Sequence, residues 1–151
     1  MQPVATYTST SAELTQALGK EIALLFLLPG SVVVLRGELG AGKTQLTKGI
    51  ASAFGLAEED ISSPTFSLAN EYQAEWPDGR TFLLFHLDCY RFENEEELLQ
   101  LGVEEYLYPA ENVSVIEWPE RIEGYLPPHR IEISLKETSP TERIITVSTT
   151  K

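Results

Sequence analysis

Leu14, Leu18, Ile22 and Leu25 recur at intervals of three and four residues, a spacing that predicts an amphipathic helix turning that stripe to a core. Thr10 followed by Glu13 has the spacing of a capping box for its start, and Pro29-Gly30 ends it. Ahead of it, Val4 to Tyr7 predicts a short strand. The pattern then changes. Ser31 to Leu35 reads SVVVL, a continuous β-branched run of the kind buried on both faces of a parallel sheet. A glycine-rich stretch follows, and Leu46, Ile50, Ala53 and Phe54 then mark one face of a second helix, with Gly55 suited to its C-terminal cap.

Downstream, Phe66 to Gln73 and Thr81 to Leu87 read as strands of a hairpin joined through Trp76-Pro77-Asp78-Gly79. Asn94 with Glu97 three residues on predicts a helix start, with Leu98, Leu99 and Leu101 as the apolar side. Val113 to Trp118 is a further core strand, Pro119 opens a short helix or loop, and Pro127-Pro128 breaks it. Ile131 to Leu135 and Arg143 to Ser148 pair around Ser139-Pro140. Strands alternating with helices predict an α/β fold, a three-layer sandwich with a mostly parallel central sheet plus antiparallel hairpins. At 151 residues the chain is expected to form one domain, residues 1–151.

Composition changes this picture little: 42% hydrophobic and 23% charged residues disfavour disordered and disulfide-scaffold classes. Charge changes it more. With 11 Lys and Arg against 23 Asp and Glu, the net charge of −12 repels a polyphosphate backbone, so a basic partner is expected to hold any RNA or DNA involved. The lone Cys89 cannot form an intrachain disulfide, and the longest apolar run, Ile22 to Leu28, is too short to span a bilayer. A cytosolic protein is expected.

The chemistry concentrates in Gly37-Glu38-Leu39-Gly40-Ala41-Gly42-Lys43-Thr44, which matches G-x-x-x-x-G-K-[ST] at every fixed position between a predicted strand and helix. Its glycines let backbone N–H groups converge on phosphate oxygens at a helix N-terminus. Lys43 is placed to neutralise the β- and γ-phosphates, and the Thr44 hydroxyl to meet Mg²⁺. Such a loop needs an acidic residue at a neighbouring strand end, to hold the metal through water or to polarise an attacking water. Asp88, after Phe82 to Leu87, and Glu117, after Val113 to Ile116, are the candidates. Ser63-Pro64-Thr65-Phe66 has small hydroxyl residues where a switch segment would respond to a γ-phosphate, or Pro64 simply stiffens the start of a strand. His86 shares a strand face with Asp88, and Trp118 either lines the nucleotide site or fills the core.

Taken in order, GELGAGKT, SPTF, HLDCYR and IEWPER resemble the TsaE family (formerly YjeE), over roughly Thr10 to Arg121. The resemblance implies a P-loop ATPase, weak alone, that binds ATP and Mg²⁺. It acts in the bacterial machinery making threonylcarbamoyladenosine in transfer RNA, with TsaD and TsaB subunits carrying the RNA chemistry. It carries function onto Lys43, Thr44, Thr65, Asp88, Glu117 and Trp118, with Glu38 to Gln45 around the nucleotide. Glu117 is taken as the residue ordering metal and water, together with Thr44 as metal ligand, and Asp88 as the second acid. A small-molecule kinase and a nucleotide-gated binding module without significant hydrolysis remain alternatives. A GTPase lacks its Asn-Lys-x-Asp tetrapeptide here.

Overall fold

A computed structural model describes residues 1–38, 40–64, 68–90 and 93–150. The SVVVL run becomes β2 (Val32–Arg36), whose alternate side chains enter two different cores: Val33 and Leu35 on one face, Val32 and Val34 on the other. Burial on both faces is what its unbroken apolar sequence demands. It pairs in parallel with β5 (Val113–Glu117) and β6 (Ile131–Glu137), and β5 pairs in parallel with β4 (Thr81–Asp88).

Antiparallel strands complete the edges. β3 (Ala69–Glu75) pairs with β4 through the predicted turn, where Gly79 takes a φ of +92°. On the other side β7 (Arg143–Thr149) folds back on β6, and β1 (Gln2–Ser9) closes the order β1-β7-β6-β2-β5-β4-β3. The seven-stranded sheet is thus mixed, with a parallel centre and antiparallel edges. The predicted strand start at Phe66 lies outside the described residues; the observed strand begins at Ala69.

One face carries α1 (Ala12–Phe26) and α2 (Lys43–Ser52) over a core that includes Ile22, Leu46, Ile50 and Phe54. The other face carries α3 (Glu95–Gln100), α4 (Glu104–Leu107) and a 3₁₀ segment Pro119–Tyr125 over Leu87, Leu98, Leu107, Ile116 and Ile122. Three expectations change in detail. Ser11, not Thr10, caps α1, its side chain accepting from the Leu14 amide at 3.0 Å. Leu25 is 64% exposed, because the buried face of α1 runs through Thr15, Gly19, Ile22 and Ala23. In α3 Leu98 is buried while Leu101 is exposed.

The turned face of α1 has a steric cause. A Cβ on Gly19 would lie 2.6 Å from the Leu46 carbonyl oxygen, and one on Gly49 only 2.1 Å from that of Gln16. The two helices touch backbone to backbone, so small residues, not leucines, make the contact. Gly49→Ala is therefore expected to destabilise the protein. Overpacking against a rigid backbone costs about 3 kcal/mol, and the better helix propensity of alanine returns only about 1 kcal/mol. Urea unfolding should show a net loss of about 2 kcal/mol; a variant as stable as the parent would contradict the contact.

Candidate functional site

β2 ends at Arg36, and the chain turns through Gly37–Gly42 into α2. Gly40 and Gly42 have φ values of +81° and +105°, which side-chain-bearing residues rarely adopt, and a Cβ on Gly37 would stand 2.9 Å from the Leu135 carbonyl oxygen. The N-termini of α1 and α3 are capped by Ser11 and Asn94 side chains, whereas α2 starts at Gly42 with no side-chain cap. First-turn amides and the positive end of a helix dipole left without a side-chain cap suit an anion.

Lys43 is only 6% exposed. Its ammonium donates to the Gly37 carbonyl at 2.6 Å and stands 3.5 Å from the centre of the Trp118 ring, a cation–π geometry. Burial pushes its pKa below the ordinary lysine value, against the carboxylates of Glu117, Glu120, Asp88 and Glu38, which hold it up.

Parallel pairing aligns Asp88 with Glu117 at the ends of neighbouring strands, so the two carboxylates sit side by side at the C-terminal edge of the sheet. Burial raises the Asp88 pKa, opposed by the Tyr90 amide donating to Oδ1 at 3.0 Å and reinforced by the Glu117 charge. Glu117 is 3% exposed, and its Oε2 lies 2.6 Å from Nε2 of His86, itself 1% exposed. Beyond it, Trp118 adopts a left-handed backbone at φ +57°, a strain worth about 1–3 kcal/mol for a residue with a side chain. That turn lays the ring over Lys43 and against Tyr90, ring centres 4.7 Å apart. Cys89 is fully buried and its thiol is pushed up to about 12, so it is chemically quiet.

Gly40, Gly42, Lys43, Thr44, Gln45, Ser63, Asp88, Glu117 and Trp118 line one cleft of about 350 Å³. It gathers most of the residues singled out from the sequence. Ala41 is buried, and Glu38 faces an adjoining cleft with Arg36, Trp118 and Glu120. Leu39 and Thr65 lie outside the described residues. On the other side of Gly40 and Gly42 a cleft of about 330 Å³ is lined by Thr10, Ser11, Gln45, Thr141 and Arg143, among others.

Two contacts of the site carry no signal in sequence. Arg143 donates to the Ala41 and Gly40 carbonyls, both at 3.2 Å, and so turns the loop's acceptors away from its amide-lined face. About a hundred residues separate them, and no local pattern links them. The contact of His86 with Glu117 likewise depends on which strands are neighbours; only its shared face with Asp88 was readable.

A family model described as "Threonylcarbamoyl adenosine biosynthesis protein TsaE" matches residues 9–145. The tRNA threonylcarbamoyladenosine biosynthesis protein TsaE of Treponema pallidum is 42% identical over 140 residues, covering 93% of this chain and 97% of that protein. The Bacillus subtilis protein of the same name is 39% identical, covering 93% and 82%. The crystal structure of Bacillus subtilis YdiB superposes with a TM-score of 0.75 at 33% identity, covering 100% of this chain and 89% of the other. The chain belongs to the TsaE family, whose members take part in the biosynthesis of threonylcarbamoyladenosine in tRNA.

Proposed function

We propose that the protein binds ATP with Mg²⁺ over the loop Gly37–Thr44 and hydrolyses it in support of tRNA threonylcarbamoyladenosine formation, working in the cytoplasm with TsaD and TsaB subunits that carry the RNA chemistry. One observation carries this reading: an uncapped helix N-terminus bearing Lys43 and Thr44 opens into the same cleft as two strand-end carboxylates, Asp88 and Glu117. The amides and Lys43 suit phosphate oxygens, and the acids suit what those phosphates bring with them.

The donor set fits Mg²⁺. It offers the Thr44 hydroxyl and the Glu117 carboxylate, hard oxygen donors, with Asp88 beside them. Among the described residues no three His, Cys, Asp or Glu side chains gather closely enough to hold a metal alone. This agrees with an ion that keeps several waters and leans on substrate phosphates. When bound, Mg²⁺ supplies charge neutralisation at the phosphate oxygens.

The chain's own groups do the rest by position. Lys43 leaves the Trp118 ring for the phosphates, Glu117 orients the attacking water, and Asp88 supplies the second negative charge. The cleft lined by Thr10, Ser11 and Thr141 receives the nucleoside. Of the arginines after the loop that a small-molecule kinase could use in a lid, Arg80 is paired with Asp78, Arg130 with Glu132, and Arg143 with the loop itself. Among the described residues, no helix is long and apolar enough to cross a membrane. The acidic surface leaves RNA to the partners.

Calorimetry with excess Mg²⁺ is expected to show one ATP bound per chain, with GTP weaker. Single-turnover hydrolysis should be slow for the protein alone and faster with the partner subunits. Absence of adenine nucleotide binding in both settings removes the proposal, and binding with no turnover in either leaves a nucleotide-gated module instead.

A further inference from the structure

We infer that His86 is a positioning residue for Glu117, fixing which of its carboxylate oxygens faces the cleft and thereby how the site engages a metal-bound nucleotide; this rests on the nucleotide-site reading above. The imidazole and the carboxylate are both almost wholly buried, and they meet at 2.6 Å. Burying two polar groups is costly, and a core needs neither at these positions. A histidine present only to be satisfied in the core would use both ring nitrogens. Here Nδ1 has no hydrogen-bond partner among the described residues, and the single bond of the ring goes to the carboxylate that lines the cleft.

The geometry explains what that bond does. A glutamate side chain has three rotatable bonds, and one strong hydrogen bond to Oε2 removes most of that freedom. With Glu117 ionised, Nε2 carries the proton and donates to Oε2, which leaves Oε1 for the cleft. The backbone that carries the ring is itself held, because His86 lies on β4 between β5 and β3, in register with Val115 on one side and Asn70 on the other. Asn70 in turn donates to the Ser62 carbonyl at 2.9 Å, next to the cleft residue Ser63. The support for Glu117 is thus built into the sheet and not into a loop, where side chains are held less sharply.

The test uses the full chain and three variants. The amide nitrogen of His86→Gln reaches the place of Nε2, that of His86→Asn falls short, and His86→Leu offers no donor. Nucleotide affinity is measured in chelator and across a Mg²⁺ titration. In chelator all four proteins are expected to bind ATP within about twofold of one another. The Mg²⁺ midpoint should rise about tenfold or more in His86→Asn and His86→Leu, in the range seen when residues supporting a metal ligand are lost. Turnover should fall in parallel at unchanged KM, and His86→Gln should stay within about threefold of the parent.

Equal Mg²⁺ midpoints in His86→Asn and His86→Gln would overturn the inference, whether both are normal or both are impaired. The parent protein gives a readout that does not depend on any variant folding. Of its two histidines, the ¹⁵N spectrum should show one with the proton on Nε2 whose signal moves when Mg²⁺ is added to the ATP-loaded chain. A buried ring protonated on Nδ1, or one blind to Mg²⁺, sinks the idea while leaving nucleotide binding intact. Failure of the parent to bind nucleotide at all would remove the underlying site as well.

Discussion

Lys43→Ala is expected to weaken ATP binding by about 100-fold or more, with little loss of fold. The ammonium is already desolvated where it stands, held by one carbonyl at 2.6 Å and one aromatic face at 3.5 Å. Moving it onto phosphate oxygens exchanges these for charge-assisted bonds, worth about 1.5–3 kcal/mol each, so losing one such bond amounts to a factor of about 10 to 150 in affinity and losing two to correspondingly more. The cost is raised by the surroundings. Glu117, Asp88, Glu38 and Glu120 all act on Lys43, so without it a polyanionic ligand would approach an uncompensated acidic field.

Folding should suffer less, because alanine removes a charge that burial already disfavours and vacates space beside an open cleft. Lys43→Arg is not expected to rescue binding, since a planar guanidinium does not replace a compact ammonium under the Trp118 ring. Calorimetry with Mg²⁺ and thermal melting decide the matter together. A well-folded Lys43→Ala protein that binds ATP within threefold of the parent would show that the loop is not the phosphate site.

What could be read from the chain beforehand follows the range of the forces involved. The SVVVL strand, the loop, the Asp-Gly hairpin and the Asn94 cap are all specified within a few residues, and all appear in the structure. Strand-end acids next to apolar runs were equally local, so Asp88 and Glu117 could be named, and their alignment followed once β4 and β5 proved to be parallel neighbours. Of the stripe predicted for α1, Ile22 is buried and Leu18 packs on the core, but Leu25 is exposed, because hydrophobic periodicity weights leucines while the contact with α2 is made where Gly19 and Gly49 let two backbones meet. α4, four residues long, is too short to show a helical period. Arg143 and the His86–Glu117 pair depend on partners that strand order alone brings together, across about a hundred and about thirty residues. Leu39 and Thr65, named from the motif and the family resemblance, lie outside the described residues.

Glu117→Gln is expected to do the opposite of Lys43→Ala, preserving ATP binding while slowing the chemical step by about 100-fold or more, the low end of what a positioned acid or base contributes. Glutamine is the informative substitution. Alanine would strip the buried His86 of the only side-chain hydrogen bond it makes among the described residues and leave a void where Glu117 is buried, mixing a packing defect with the chemistry. The amide keeps the volume, and its carbonyl oxygen can still accept from Nε2 of His86, so the melting temperature should stay close to that of the parent. It removes only the negative charge and the proton-accepting oxygen. Measured in chelator, nucleotide affinity should hold or rise slightly, because one carboxylate fewer now faces the phosphates at the floor of the cleft, whereas the Mg²⁺ midpoint should rise with the loss of a carboxylate donor, so turnover is compared at saturating Mg²⁺. Asp88→Asn provides the internal comparison. Asp88 is less buried than Glu117 and has one oxygen engaged by the Tyr90 amide, so it is expected to slow hydrolysis less than the change at Glu117 does. Rapid-quench single-turnover measurements with the partner subunits separate the two. If Glu117→Gln hydrolyses bound ATP at the rate of the parent, the orienting role passes to Asp88 or to a group supplied by the partner.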